Sequence, residues 1–389
     1  MPELVVPVCL REVKRILSDS RIFLLVIGGP FLYACLFGGV YWQGRTQYVP
    51  IVVIDQDHSA LSRDLTNALR ASDSLKIVGW ANSPNELPSL ARREIAYGCV
   101  MFPANFERDV FAGRSPKIAV LADGTNTLLA GPVLSAVRDV ATTYQVGVDR
   151  RELEASGIPA GSVAVASRPV SLVGRPLFNP TGDYSYYILI GLVCAAVQSV
   201  IRMAVGVSIG FDSYDRICGD LKSTHLSIPR LFACKLIGAC CVALPAAYGA
   251  IAVVLTVFGT PHRGSLFLTY LAITMYVMVQ VCMSYGYFGL CKSPLFALHL
   301  HMFMASMLFI ASGFSWPYYA MPSALQVVAR FLPIFHMNCI MRKVNLVGST
   351  AGWVLPHLFA LGAWLVLSYA WGYLAFKKWC ETQQTSPGH

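Results

Sequence analysis

The sequence predicts an α-helical polytopic membrane protein with six transmembrane helices and an α/β domain inserted outside the membrane after the first helix. Three observations carry this. The stretch 46–183 holds 14 of the 21 Asp and Glu and 13 of the 30 Lys and Arg, so it is near-neutral and water-soluble. The other acids are Glu3, Glu12, Asp19, Asp212, Asp215, Asp220 and Glu381, leaving no carboxylate side chain between Leu221 and Cys380. A soluble surface needs both signs of charge, so that run reads as apolar helices joined by short loops. Finally, six apolar runs reach the roughly 20 residues that cross about 30 Å of hydrocarbon. A chain of 389 residues that is 55% hydrophobic and 13% charged lies outside the soluble globular range.

Taken in order, residues 1–21 form an inner segment in which apolar Val5, Val8, Cys9, Val13, Ile16 and Leu17 alternate with Arg11, Glu12, Lys14 and Arg15. This fits an amphipathic helix in the inner interface, the alternative being an unstructured basic flank. Residues 22–41 are a charge-free first span without a small-residue cleavage signature, hence an uncleaved anchor. Residues 42–185 form the outer domain. Residues 186–376 hold five more spans, Tyr186–Gly210, Phe232–Phe258, Leu266–Gly289, Leu295–Phe314 and Trp353–Phe376, and 377–389 is a tail.

Orientation follows from Lys and Arg in short loops. With the N-terminus inside, inner segments carry Arg11, Lys14, Arg15, Arg21, Arg216, Lys222, Arg230, Lys235, Lys292, Lys377 and Lys378, against Arg45, Arg263, Arg330, Arg342 and Lys343 in short outer ones. Both termini are then cytoplasmic and the inserted domain is periplasmic or extracellular. The net charge of +9 is thus a topology signal rather than a nucleic-acid footprint, since it lies beside spans and not in a patch interleaved with exposed aromatics. Of 12 cysteines only Cys99 falls in the outer domain, which must therefore fold on its own core, and no spacing suggests a metal site.

Within the insert, apolar strands alternate with helical stretches: strands at Val49–Ile54, Leu75–Trp80, Tyr97–Phe102 and Ile118–Ala122, and helices at Ala60–Ala71, Asn85–Arg93, Asn105–Ala112 and Leu128–Glu154. Residues Val170–Leu177 lead, extended, into the second span. This alternation predicts an α/β layer with a mostly parallel sheet. The first strand ends in IVVIDQDHS, placing Asp55, Asp57 and Ser59 before a helix. The motif resembles the Asp-x-Asp-x-[Ser/Thr] nucleophile loop of haloacid-dehalogenase-type phosphatases, which makes a membrane-anchored, Mg-dependent phosphatase the rival function. The downstream acidic pair and Lys of that chemistry are not evident, and Asp and Ser between strand and helix are also the expected caps of unpaired helix amides.

Polar side chains inside spans are costly. Gln198 and Arg202 share a face of the second span, as Gln280 and Ser284 do of the fourth; they line a translocation path or bind a lipid head group, or else Arg202 snorkels to the inner interface. His299 and His301, at the start of the fifth span, read as interface residues. Between the fifth and sixth spans, Pro317, Pro322 and Pro333 cannot sit within one uninterrupted helix. Backbone groups freed at membrane depth survive only where protein or water covers them, so 312–347 reads as two short helices dipping from the outer face, or else as an amphipathic outer loop.

With those residues in place, the chain resembles the permease subunit of type-2 ABC exporters, the ABC-2 membrane family. The resemblance rests on RE..R (Arg11, Glu12, Arg15), on VPIVVIDQDHSALSRDLTNAL opening the insert, and on SGFSWPYYAMPSALQVVARFLPIFHMNCIMRKVNLV, Ser312–Val347, which is similar to the family's outer re-entrant segment. It implies an outer cap made by Phe314, Trp316, Pro317, Met321 and Pro322. It also implies ATPase-coupling residues Asp215, Arg216, Gly219, Asp220, Leu221, Lys222 and His225 in the inner loop 211–231, with Lys235 as the family's lysine at the next span. Lys222 stands where the family usually has Glu, and Ser227, Ile228 and Pro229 replace its Ser-Pro, a departure that fits one half of an unequal pair. No GxxxxGK[ST] phosphate loop is present, so the resemblance implies no cofactor bound by this chain and no catalysis of its own, with ATP and Mg in a separate cytoplasmic ATPase. The implied partners are that ATPase, a second permease in a homodimer or heterodimer, membrane lipids and an outer adaptor protein. The implied setting is a bacterial inner membrane, with export of a hydrophobic or amphipathic drug, lipid or lipid-linked molecule.

Overall fold

The computed structural model describes residues 2–44, 46–112, 114, 116–124, 127–155, 178–179, 183–210, 226–290 and 294–385. The chain divides into two compact units, one of 1–44 with 176–389 and the other of 45–175.

The first unit begins with α1 (Pro2–Ser18). It ends at Asp19, whose carboxylate accepts from the amides of Arg21 and Ile22 at 2.9 and 3.4 Å and so starts α2 (Ser20–Val40). Over Leu24–Gly28, just ahead of Pro30, α2 widens to π geometry. Proline gives no N–H and its ring crowds the carbonyl four residues back; a wider turn relieves both.

The second unit is built on a four-stranded sheet of order β2–β1–β3–β4, from β1 (Val49–Asp55), β2 (Leu75–Trp80), β3 (Gly98–Phe102) and β4 (Ala119–Ala122). Helices α3 (Ala60–Arg70), α4 (Leu87–Arg92), α5 (Phe106–Phe111) and α6 (Thr127–Ala155) connect or follow them. β1 runs parallel to β2 and β3, whereas β4 is antiparallel to β3. The central strand is buried on both faces, which is why it reads as an unbroken apolar run. Ile51 and Val53 pack with Leu65, Leu69 and Val133 on one side, and Val52 and Ile54 pack with Leu87, Ala96 and Cys99 on the other. Burial pushes the Cys99 thiol up to about 11, so this lone cysteine is an unreactive core filler.

The first unit resumes with α7 (Tyr184–Gly210), α8 (Ile228–Thr256), α9 (Leu266–Leu290), α10 (Pro294–Ala311), α11 (Ser323–Arg330), α12 (Pro333–Met341) and α13 (Ala351–Thr385). α9 packs along α13 and α7, α1 against α8, and α2 and α10 against α7. Among the described residues five helices are long and apolar enough to cross a membrane: Ser20–Val40, Tyr184–Ser208, Ile228–Thr256, Leu266–Phe288 and Ala351–Glu381. The run expected as the fifth span is the shorter α10, of 18 residues. Beyond it, α11 and α12 with its π extension meet at 85°, because Pro333 cannot continue the ladder of α11. The helices share one core in which the buried Phe232 ring meets Tyr285, Tyr369, Tyr373 and Phe376 at centroid distances of 5.2–5.8 Å.

Candidate functional site

At the end of the first unit nearest α1, charge is held where it is least expected. Glu12 is 6% exposed and Lys235 4%, and the Lys235 ammonium lies 3.4 Å from Glu12 Oε2. Arg15 donates to Glu12 Oε1 at 2.5 Å and to the Ser208 hydroxyl, so one carboxylate joins α1 to α8 and, through Arg15, to the end of α7. Close approach is possible because position 238 is glycine: a Cβ there would stand 2.8 Å from Glu12 Cβ. α1 therefore packs on the helix bundle along the face that carries Glu12, which the amphipathic pattern alone did not reveal. Helices α7 and α8 flank the predicted coupling residues Asp215, Arg216, Gly219, Asp220, Leu221, Lys222 and His225, which themselves lie outside the described residues.

Between α7 and α9 the structure brings the predicted path residues together. Arg202, 2% exposed, donates from Nε to Gln280 Oε1 at 2.7 Å and from Nη2 to Met283 Sδ at 3.1 Å, with Tyr287's ring centroid 5.5 Å from its guanidinium carbon. Tyr276 donates its hydroxyl to Gln198 Oε1 at 2.9 Å, and Ser284 bonds back to the Gln280 carbonyl. Arg202 does not snorkel: its charge is received by helix α9, and Arg202 Nη1 and Gln280 Nε2 find no acceptor among the described residues. His301, expected at the interface, is buried with its ring 6.4 Å from that of Tyr287, while His299 is exposed.

The segment after α10 is anchored by aromatic packing. The Phe314 ring stacks on Tyr187 at 5.0 Å and 11°, and the Tyr187 hydroxyl donates to the Phe314 carbonyl. A side chain at Gly191 would overlap the Phe314 ring, so glycine makes its seat. Phe314 and Met321 are buried, Pro317 is half-buried, and Trp316 and Pro322 are exposed. Behind them runs a polar chain whose direction its ends determine. The Arg330 carbonyl only accepts, so His336 Nε2 donates to it at 2.7 Å. In neutral imidazoles, His336 Nδ1 must then accept from His357 Nδ1–H at 3.1 Å, and His357 Nε2 accepts from the Lys343 ammonium at 3.1 Å.

Sequence reasoning missed a further feature. An apolar hollow of about 750 Å³ lies between α8, α9 and α13, lined by residues including Leu236, Cys240, Tyr248, Met278 and Tyr369. This volume is within the range of sites for drug-sized ligands. Its signal in sequence is three separate apolar helix faces, indistinguishable from lipid-facing ones.

The Asp-x-Asp motif is absorbed by its own loop. Asp55 Oδ1 accepts from the amides of Asp57 and His58 at 3.0 Å each, and Oδ2 from the Ser62 hydroxyl at 2.7 Å. Ser59 caps α3 by accepting from Ser62 N–H at 3.1 Å, and Asp57 Oδ2 accepts from Glu107 N–H at 2.9 Å. Burial pushes the Asp57 carboxyl up, but hydrogen bonds from Ser59 and from the backbone of Glu107, Phe106 and Asn105 outweigh it and hold the group below its ordinary 3.8. Both carboxylates are thus engaged in holding a strand-to-helix turn and the start of α5.

Against known proteins, the pattern of the ABC-2 family transporter proteins matches residues 21–374. The probable multidrug ABC transporter permease YbhR of Escherichia coli (strain K12) is 24% identical over 331 residues, 84% of each chain. The probable multidrug ABC transporter permease YbhS of the same strain is 20% identical over 346 residues, 88% of each chain. The inner membrane transport permease YhhJ, also of that strain, is 22% identical over 370 residues, 91% of each chain.

Proposed function

Because the chain belongs to the ABC-2 family of transporter proteins, we propose that it is the membrane-spanning permease of an ATP-driven exporter that moves a hydrophobic or amphipathic molecule outward across a bacterial inner membrane. One observation carries the reading: a family match over 21–374 in a chain whose sequence has no phosphate-cradling loop. Such a chain works with a separate ATPase subunit and a second permease. The chain contributes no catalysis, and ATP with its Mg belongs to the partner.

In this proposal the ATPase docks on the inner loop through Asp215, Arg216, Gly219, Asp220, Leu221, Lys222 and His225. The Glu12–Lys235 pair supports the role of that region, since a push on the loop reaches α1 and α8 as one body. The substrate class is supported by the apolar hollow of about 750 Å³ and by the names of the relatives YbhR and YbhS, which are described as multidrug permeases. Gln198, Arg202, Gln280 and Ser284 form the polar seam that shifts during the cycle. Phe314, Trp316, Pro317, Met321 and Pro322 make the outer cap. The unit 45–175 is taken to face outward, from the excess of Lys and Arg in the inner segments, and offers a surface for an adaptor.

The test is transport itself. The chain is to be reconstituted in sealed vesicles with an ABC ATPase subunit that co-purifies with it, and accumulation of a lipophilic dye followed with and without ATP. ATP-dependent accumulation is expected; its absence, alongside magnesium-dependent phosphatase activity lost in Asp55→Asn, would replace the proposal with the phosphatase reading.

A further inference from the structure

Beneath the turn that follows α10 lies a cavity of about 200 Å³ with a mixed lining, in which Tyr318, Asn338, Arg342, Lys343 and His357 face Phe314 and Phe335. Its charge is one-sided. Asn338 is 3% exposed, yet neither its amide nitrogen nor its oxygen has a hydrogen-bond partner among the described residues, and neither does the buried Tyr318 hydroxyl. Buried polar groups are rarely left without partners, so the site is built for something that satisfies them. Two cations stand beside them. The Lys343 ammonium gives one proton to the Trp353 carbonyl at 3.0 Å and one to His357, which leaves a third. The exposed Arg342 guanidinium makes no hydrogen bond or ion pair among the described residues. The sequence has no carboxylate between Leu221 and Cys380 that this segment could supply to them.

From the unpartnered Asn338 amide and Tyr318 hydroxyl, two cations without a counter-charge and a cavity smaller than the roughly 300–1,000 Å³ of drug-sized sites, we infer that this cavity binds a single phosphate-type anionic group, with Arg342 and Lys343 supplying charge, Asn338 Nδ2 and the Tyr318 hydroxyl supplying directed N–H and O–H donors, and the Asn338 oxygen accepting from a hydroxyl of the same group. Guanidinium and ammonium groups hold such an oxyanion by charge-assisted hydrogen bonds. Arg342, the first residue of the π extension of α12, both lines the cavity and is exposed, so a lipid whose phosphate enters while its chains stay outside fits as well as a free phosphate. The site stands whether or not the chain exports anything.

The experiment uses the full chain in a neutral detergent, with native mass spectrometry reading bound phosphatidylglycerol, diacylglycerol of the same chains and inorganic phosphate as competitor. One phosphatidylglycerol per chain is expected, bound at least tenfold more weakly by Arg342→Gln with Lys343→Gln and by Asn338→Asp, which places a carboxylate in the cavity. The conservative pair Arg342→Lys with Lys343→Arg is to retain binding, which separates lost charge from lost folding. Displacement by millimolar phosphate identifies a free anion as the occupant, and no displacement identifies the lipid; either supports the site. Diacylglycerol binding as tightly as phosphatidylglycerol, or equal phosphatidylglycerol binding by the wild type and both sets of variants, overturns it.

Discussion

His336 and His357 meet Nδ1 to Nδ1 at 3.1 Å, and the relay they form runs in one direction, from the Lys343 ammonium through both rings to the Arg330 carbonyl. The relay ties the start of α13 to both arms of the bent pair α11 and α12. Replacing His357 by Leu strands His336 Nδ1 and one Lys343 proton, and is expected to destabilise the protein by about 1–3 kcal/mol. His357→Gln, which restores a donor and an acceptor, should recover part of it. Thermal unfolding of the purified chain in detergent measures both, and equal melting points for wild type and His357→Leu would show that the relay holds nothing together.

The Glu12–Lys235 pair makes a second prediction. Removing one partner of a buried pair leaves an uncompensated charge, at a cost of about 3–5 kcal/mol, while replacing both by apolar residues is often neutral. Glu12→Leu alone should therefore be more damaging than Glu12→Leu combined with Lys235→Met, although the double variant still removes the acceptor of Arg15. A double-mutant cycle on thermal unfolding reads the coupling, and additive effects would rule out the pair as the link between α1 and α8.

A third prediction concerns the seat of Phe314. Gly191→Ala pushes a methyl group into the Phe314 ring and should loosen the segment after α10, a loss of about 1–3 kcal/mol from overpacking. Adding Phe314→Ala removes the clash but also the aromatic stack with Tyr187. The double variant should thus fall short of the sum of the two single losses; strict additivity would mean that ring and glycine do not meet.

Asp57 links stability of the inserted unit to pH. Its folded carboxyl lies below the ordinary 3.8, so the unfolded chain takes up its proton first. The stabilisation is fully present above about pH 4 and is lost as pH falls through the lower folded value. Asp57→Asn should accordingly weaken protection of the Phe106–Phe111 amides near neutral pH, with the difference from wild type shrinking below pH 4. Hydrogen exchange on the full chain, corrected for intrinsic rates, checks this; a difference that grows on acidification would contradict the sign.

Much of the architecture was legible because it depends on local pattern. The continuous apolar run Ile51–Ile54 announced a strand of an α/β layer, and Asp55 and Ser59 announced a capped turn, since their partners lie within seven residues. The missing carboxylates announced the apolar helices. What stayed hidden depends on contacts between distant residues. Glu12 and Lys235 are 223 positions apart, and nothing near Glu12 says that α8 presents a glycine and an ammonium to it. Arg202 looked able to snorkel because its position near the end of a span is visible, whereas Gln280 and Met283 waiting on α9 are not. The reversal of β4 likewise escaped, since a short alternating strand carries no mark of direction. The bend at Pro333 was legible, and the cavity behind it, assembled from the turn after α10, α12 and α13, was not.

The most direct measurement places a photoreactive residue at Lys222 or His225 in the full chain and irradiates native membrane vesicles. Capture of an ATP-binding subunit from the cytoplasmic side, lost when the probe is moved to Trp353, is the predicted result. An intact, membrane-inserted chain that captures no such subunit from either position would contradict the claim that this permease is driven by a companion ATPase.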